Sequence, residues 1–292
     1  MRVLVTGAHG RLGRSVTAAA HRAGHQVAAV DLHPGAVPDG VRAFTTDAGD
    51  SAAFADLLGE IRPEAVIHLA GIAVPFSAPE PRTLAVNASL TWGVLDAAAQ
   101  HGARIAVAAS SPTVIGYGDP HGWRPSYLPL DEQHPLQPWN GYALSKAVVE
   151  QVVRTLARRH PNTHLTALRP CYVITPEEWA GEPTQQGHTV HDRLEKPELA
   201  APSLFNYVDA RDVADLVLAL LDRPRGPSGQ VLFAGAADAM ALRPLAELLP
   251  AHVPETAGYA HVLSGTRPAF SSERARALLG WQPRRSWRTE LA

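Results

Sequence analysis

Residues 6–13 read Thr6-Gly7-Ala8-His9-Gly10-Arg11-Leu12-Gly13, with an apolar run over 2–6 before them and a helical pattern over 11–23 after them, stopped at Gly24. Glycines spaced three and three apart suit a tight turn that needs positive φ and a bare backbone. A helix that starts there offers unpaired N–H groups to a phosphate. Three glycines at this spacing are expected about 0.14 times by chance in a chain with this glycine content. The flanking strand and helix therefore carry the weight, against the alternative of a ligand-free structural turn. Working outward, a strand over 26–31 ends on Asp31, 24 residues after Gly7. A carboxylate there can accept from adenine-ribose hydroxyls and repels a 2′-phosphate, which favours NAD. Arg11 and Arg14 leave NADP open. Asp47, after a strand over 41–44, either accepts from an adenine amino group or caps the next turn.

The alternation continues along the chain. A helix is expected over 51–58 with Ser51 as N-cap, then a strand over 65–69, a helix over 82–100, a strand over 105–109, a helix over 142–159 and a strand over 164–169. Apolar strands alternating with amphipathic helices imply right-handed βαβ units, a parallel sheet covered on both faces, and hence a Rossmann-type doubly wound α/β fold. From Cys171 the regularity breaks, and 175–203 has no clear period. Order returns with a strand over 205–208, a helix over 209–221 capped by Asp209 and Asp212, and a strand over 231–234 rejoining the main sheet. A helix over 242–249, a strand over 259–263 and a helix over 272–280 complete the chain. Residues 1–170 plus 204–235 read as the cofactor-binding domain, and 171–203 plus 236–292 as a small discontinuous C-terminal substrate subdomain.

Composition narrows the function. With 26 basic and 28 acidic residues the net charge is −2, which provides no basic field for nucleic acid. No run of 18 apolar residues suggests a membrane span. The apolar start over 3–5 is too short for a signal peptide, and Cys171 is the only cysteine, so a cytoplasmic protein is expected. The 14 histidines are scattered without metal-ligand spacing, and no metal is expected. Only two of the 26 basic residues are lysines, Lys146 and Lys196.

Tyr142 and Lys146 lie four apart at the start of a helix and share a face. That pair is expected about 0.04 times by chance, which makes it a stronger signal than the glycines. A nearby ammonium and an oxidised nicotinamide would both favour the phenolate, which could then take a proton from a hydroxyl as hydride leaves the carbon. Ser110 and Ser111 follow the strand over 105–109 at the sheet edge where ligands bind, so one is placed to orient a substrate oxygen and the other reads as a turn residue.

In this combination the chain resembles the extended short-chain dehydrogenase/reductase family, the NAD-dependent epimerase/dehydratase group. His68-Leu69-Ala70-Gly71, Leu168-Arg169-Pro170 and Tyr207-Val208-Asp209-Ala210-Arg211-Asp212 also match its landmarks. The resemblance implies Ser111, Tyr142 and Lys146 as the catalytic set. It implies Gly7, His9, Gly10, Arg11, Leu12, Gly13, Asp31, Asp47, Leu69, Ala70, Gly71, Asn87, Tyr142 and Lys146 around NAD, Thr113 and Arg267 on the substrate, and a homodimer. The stretch 109–117 is closest to uronate dehydrogenases, implying oxidation or reduction of a small sugar-like molecule. The alternatives are a nucleotide-sugar epimerase or dehydratase with retained NAD, and a non-catalytic NAD-binding regulator. The segment 171–206 is short for gripping a nucleotide, so UDP is expected to bind poorly. The proline- and aromatic-rich insert 119–140 reads either as a lid or pocket wall, or as a packed loop.

Overall fold

The computed structural model describes residues 1–222 and 228–292. Its elements in chain order are β1 (Arg2–Thr6), α1 (Arg11–Arg22), β2 (Gln26–Asp31), β3 (Arg42–Thr45), α2 (Ser51–Ile61), β4 (Ala65–His68), α3 (Glu80–Gln100), β5 (Ile105–Ala109), α4 (Gly141–Arg159) and β6 (His164–Pro170). Then follow β7 (Val173–Ile174), the short helices α5 (Pro176–Trp179), α6 (Val190–Glu195) and α7 (Pro197–Ala200), then β8 (Val208–Asp209), α8 (Ala210–Leu221), β9 (Gln230–Ala234), α9 (Leu245–His252), α10 (Glu273–Leu279) and α11 (Trp287–Glu290).

Among the described residues seven strands form one sheet in the order β3-β2-β1-β4-β5-β6-β9. Every pairing is parallel, with Val3 beside Val27 and Ala65, and Thr6 beside Val30 and His68. Both faces are covered, which is why the strands read as nearly continuous apolar runs. Leu4, Val30 and Val66 pack with Phe54, Leu58 and Val94 of α2 and α3. Val3, Val5 and Ile67 point the other way, into a cluster with Val16 of α1 and Val213 and Val217 of α8. That cluster continues to Leu204, Leu245 and Trp281, so the irregular segments share the core with the sheet.

Several expectations change. Asp50, not Ser51, caps α2, accepting from the amides of Ala52 and Ala53. The residues expected as a strand over 205–208 pair only at β8, and with β7 rather than with the main sheet. Leu204 and Phe205 have φ of 51° and 57°, which interrupts extended backbone there. The strand expected over 259–263 is instead a short 3-10 turn, Ala260–Val262. Asp209 caps α8 as read, accepting from the Arg211 amide. Asp212 does not complete a capping box. It accepts instead from the amides of Arg284 and Arg285 and from the Arg285 guanidinium, fastening the C-terminal stretch to α8. Among the described residues no helix is long and apolar enough to cross a membrane.

Candidate active site

A cavity of about 820 Å³ opens along the carboxyl ends of the parallel strands, where helix N-termini and strand ends meet. The glycine turn supplies Gly7, His9, Gly10, Arg11, Leu12 and Gly13, β2 supplies Asp31, the loop after β3 supplies Asp47, and the loop after β4 supplies Leu69, Ala70 and Gly71. Ser110, Ser111, Tyr142 and Lys146 line the other end. Gly10 is the N-cap of α1 and no side chain caps that helix, which leaves its first-turn amides facing the cavity. A Cβ on Gly7 would come within 2.6 Å of the Ala70 nitrogen, and one on Gly13 within 2.0 Å of the Gly7 carbonyl oxygen. Both positions exclude any other residue.

The Asp31 carboxylate accepts from the amides of His9 at 3.0 Å and His33 at 3.4 Å, which ties β2 to the glycine turn. Asp47 accepts from the Gly49 amide at 2.7 Å and still borders the cavity, so it serves its own turn as well. Both arginines that left NADP open are engaged elsewhere. Arg11 donates to Glu178 and to the Val173 carbonyl, and Arg14 pairs with Glu177 at 3.5 Å.

The two serines differ in surroundings, and the turn residue is Ser111, the one the resemblance places in the catalytic set. Ser110 donates to the buried Glu150 carboxylate at 2.8 Å and is locked inside. Glu150 in turn receives two bonds from Arg169, at 2.6 and 2.9 Å, in a fully buried ion pair. Sequence reading missed Glu150; the signal available was Arg169 inside a buried strand, which requires an acidic partner. Ser111 caps the turn Pro112–Ile115 and accepts from both the amide and the hydroxyl of Thr113, at 3.3 and 2.9 Å. Ser111 also acts on the Tyr142 phenol, whose ionisation it favours against burial.

Tyr142 and Lys146 leave the first turn of α4 on one face, where the Asn140 side chain caps the helix. The Lys146 ammonium donates to the Ala109 carbonyl at 2.9 Å and lies 5.7 Å from the centre of the Tyr142 ring. Burial dominates both groups. It pushes the Tyr142 phenol up to about 12, against a hydrogen bond from Ser111, and pulls Lys146 down to about 8. Burial thus makes this tyrosine harder to ionise than a free one. His68, fully buried beside Thr6 at 2.8 Å, is pulled down to about 3 by burial and by the Lys146 charge, so it stays neutral.

Three of the expected residues stand outside the cavity lining. Asn87 is buried behind it, clamping Ile72 through both its amide oxygen and nitrogen and donating to Ser145. Thr113 reaches Ser111 rather than the cavity. Arg267 is exposed, follows a turn at 265–266 and donates to the Val262 carbonyl. The insert 119–140 is packed. Trp123 donates to the Ile115 carbonyl, Tyr127 to Asp131, and Leu130 exchanges backbone bonds with Ala269 and Ser271. Arg82 of α3 and Gln185 border the cavity without having been foreseen, since neither lies in a recognisable motif. Among the described residues no three metal-ligating side chains converge.

The chain is 31% identical to UDP-glucose 4-epimerase from Azospirillum brasilense over 97% of its own length and 87% of that protein. The match to UDP-glucose 4-epimerase from Mus musculus, also 31% identical, spans 58% of this chain and 52% of the other. A short-chain dehydrogenase/reductase superfamily protein from Agrobacterium tumefaciens with bound NAD superimposes with a TM-score of 0.74 at 27% identity, covering 100% of this chain and 95% of that one. A mutated uronate dehydrogenase shares the fold with a TM-score of 0.67 at 19% identity, over 99% and 85% of the two chains. The profile of the NAD-dependent epimerase/dehydratase family matches residues 3–235, and with the length of the Azospirillum alignment this makes the chain an enzyme of that family, within the extended short-chain dehydrogenases/reductases.

Proposed function

We propose that this protein uses NAD to move hydride at a secondary alcohol or ketone of a sugar or sugar-like molecule, with Tyr142 as the proton-transfer group. The carrying observation is that Tyr142, Lys146 and Ser111 share one cavity with the glycine turn and Asp31. The residues suit a dinucleotide: uncapped first-turn amides for a pyrophosphate, a turn whose glycines leave no space for side chains, and a strand-end carboxylate for ribose hydroxyls. Asp31 and the engaged state of Arg11 and Arg14 favour NAD over NADP. Bound NAD supplies the carbon that accepts hydride.

The chain's own residues do the rest. Ser111, with its oxygen occupied by Thr113, donates to the substrate oxygen and holds it against the Tyr142 hydroxyl. Tyr142 takes the hydroxyl proton during oxidation and returns it during reduction. Lys146, fixed by the Ala109 carbonyl, keeps a positive charge beside the ring and opposes the effect of burial on the phenolate. Glu150 and Arg169 hold Ser110 and the end of β5 beneath this group.

A second reading, a nucleotide-sugar epimerase that recycles its NAD, is supported by the Azospirillum relative. Incubating the NAD-loaded protein with a panel of sugars and sugar acids separates the two. Accumulating NADH supports net oxidation, whereas interconversion of UDP-glucose and UDP-galactose without NADH supports the epimerase. A protein that holds NAD and does neither would leave a non-catalytic NAD-binding role.

A further inference from the structure

The lining of the main cavity includes three lysine or arginine side chains, Arg11, Arg82 and Lys146. Two of them are committed. Arg11 donates to Glu178 and to the Val173 carbonyl, and the buried Lys146 donates to the Ala109 carbonyl. Arg82 is exposed and, among the described residues, makes no side-chain hydrogen bond or ion pair. Glu80, the nearest acid along α3, is taken by the Gly141 amide at 2.8 Å. The cavity carboxylates are taken as well, Asp31 by the amides of His9 and His33, and Asp47 by that of Gly49. One guanidinium, with its planar fork of donors, is therefore left uncommitted at the cavity wall.

Its position on α3 gives that guanidinium a target. Arg82, Val86 and Leu90 are spaced four apart and line the cavity as one row. One end of the row lies near the reacting groups, because Glu80 bonds Gly141 beside Tyr142. The other end lies by Asp47, because a Cβ on Gly49 would sit 3.8 Å from the Leu90 side chain. Residues 69–72 bridge the row to the glycine turn, with Gly7 packed against Ala70 and Asn87 clamping Ile72. A dinucleotide that spans these two ends carries its pyrophosphate between them. The first-turn amides of α1 hydrogen-bond such a group, but they carry only partial positive charge and do not neutralise it. A guanidinium meets phosphoryl oxygens with two parallel bonds and a full charge. We propose that Arg82 is a cofactor-binding residue that closes on the NAD pyrophosphate from the α3 side and supplies the charge the glycine turn lacks. This rests on the reading of the cavity as an NAD site. The guanidinium is solvated before NAD arrives, so its contribution appears on binding and not in the stability of the ligand-free fold.

Fluorescence titration with NADH and calorimetric titration with ADP-ribose, which keeps the pyrophosphate and lacks the nicotinamide, test it. Arg82→Gln should weaken both ligands by about ten-fold and leave the Tm of the ligand-free protein unchanged. Arg82→Lys, which keeps the charge and loses the fork, should fall between parent and Arg82→Gln. Raising NaCl from about 0.05 M to about 0.5 M should weaken NADH binding to the parent more steeply than to Arg82→Gln, because one screened ion pair is gone. The proposal is overturned if Arg82→Gln binds both ligands as the parent does, which is also the result if Arg82 serves a substrate anion instead. It is overturned equally if affinity falls while the salt dependence stays that of the parent, or if the ligand-free Tm falls with it. A parent protein that binds neither NADH nor ADP-ribose would sink the NAD reading itself, and this inference with it.

Discussion

Tyr142 and Lys146 are both displaced from their ordinary acidities by the same cause, removal from water, and in opposite directions. The apolar wall that shields the reaction also makes the phenolate costly, so the tyrosine depends on nearby donors and positive charge. Replacing Tyr142 with Phe keeps the ring and deletes the proton carrier. Turnover should fall by at least about two orders of magnitude, with NAD affinity retained; steady-state rates and a parallel NAD titration check both halves. Lys146 illustrates the cost of the arrangement. Its folded value of about 8 lies below the ordinary 10.5, so between those pH values the unfolded chain binds more protons than the folded one. The lysine therefore destabilises the ligand-free protein fully below about pH 8, and the penalty shrinks as pH rises toward 10.5. Lys146→Met should be inactive yet more stable at pH 7, by on the order of 1–3 kcal/mol. That advantage over the parent should vanish by pH 10.5, as followed by denaturant unfolding across the range.

At the scale of elements, the site is assembled from ends. The start of α1, the ends of β1, β2, β4 and β5, and the start of α4 meet along one edge, because parallel strands all deliver their carboxyl ends to the same side. The weakest tolerance lies at the β1–α1 junction. A methyl group on Gly13 would overlap the Gly7 carbonyl, a backbone atom with no room to yield. Gly13→Ala should destabilise the fold by about 1–3 kcal/mol and weaken NAD binding out of proportion to the stability loss, since the turn that faces the pyrophosphate must open. Thermal unfolding and NADH fluorescence titration give the two quantities. A variant of unchanged affinity would show that the turn does not hold the cofactor. Element α4 has a second duty, for Glu150 lies one turn beyond Lys146 and anchors Arg169 and Ser110. One helix thus carries Tyr142 and Lys146 into the cavity and stabilises the floor beneath them.

Across the whole molecule, the glycine turn and the irregular segment after β6 are joined through Arg11. Its guanidinium, on the first residue of α1, bonds to Glu178 of α5 and to the Val173 carbonyl, while Arg14 pairs with Glu177 nearby. The Glu178 carboxyl is almost fully buried and also accepts from the Thr175 amide, so this contact is anchored at both ends. It ties the glycine turn to the segment after β6 and occupies the Arg11 guanidinium. NADH should therefore bind at least about ten-fold more tightly than NADPH, with the Asp31 carboxylate adding repulsion. Glu178→Gln should free Arg11 and narrow that gap several-fold, as read by fluorescence titration of the two reduced cofactors. Tighter binding of NADPH by the parent protein would remove the assigned role of Asp31.

The parallel sheet, the glycine turn and the Tyr142–Lys146 face were legible from the chain because each depends on local periodicity, with apolar runs of strand length, a helical repeat of four and glycines where a Cβ cannot fit. The same locality explains the errors. Asp50 and Ser51 are equally good caps on paper, and only the backbone geometry chose between them. Residues 205–208 read as a strand, but the left-handed conformations of Leu204 and Phe205 interrupt it. What depended on partners distant in sequence was settled by tertiary structure alone. Ser110 became an internal anchor because Glu150 lies 40 positions away, and Arg11 was taken up by a glutamate 167 positions away. Among the described residues the buried Arg193 meets no carboxylate in ion-pair contact, its partners being Gln186, His188 and Ser203. Spacing along the chain records which groups share a turn or a face; which charges meet inside the fold depends on three-dimensional neighbours that no local pattern encodes.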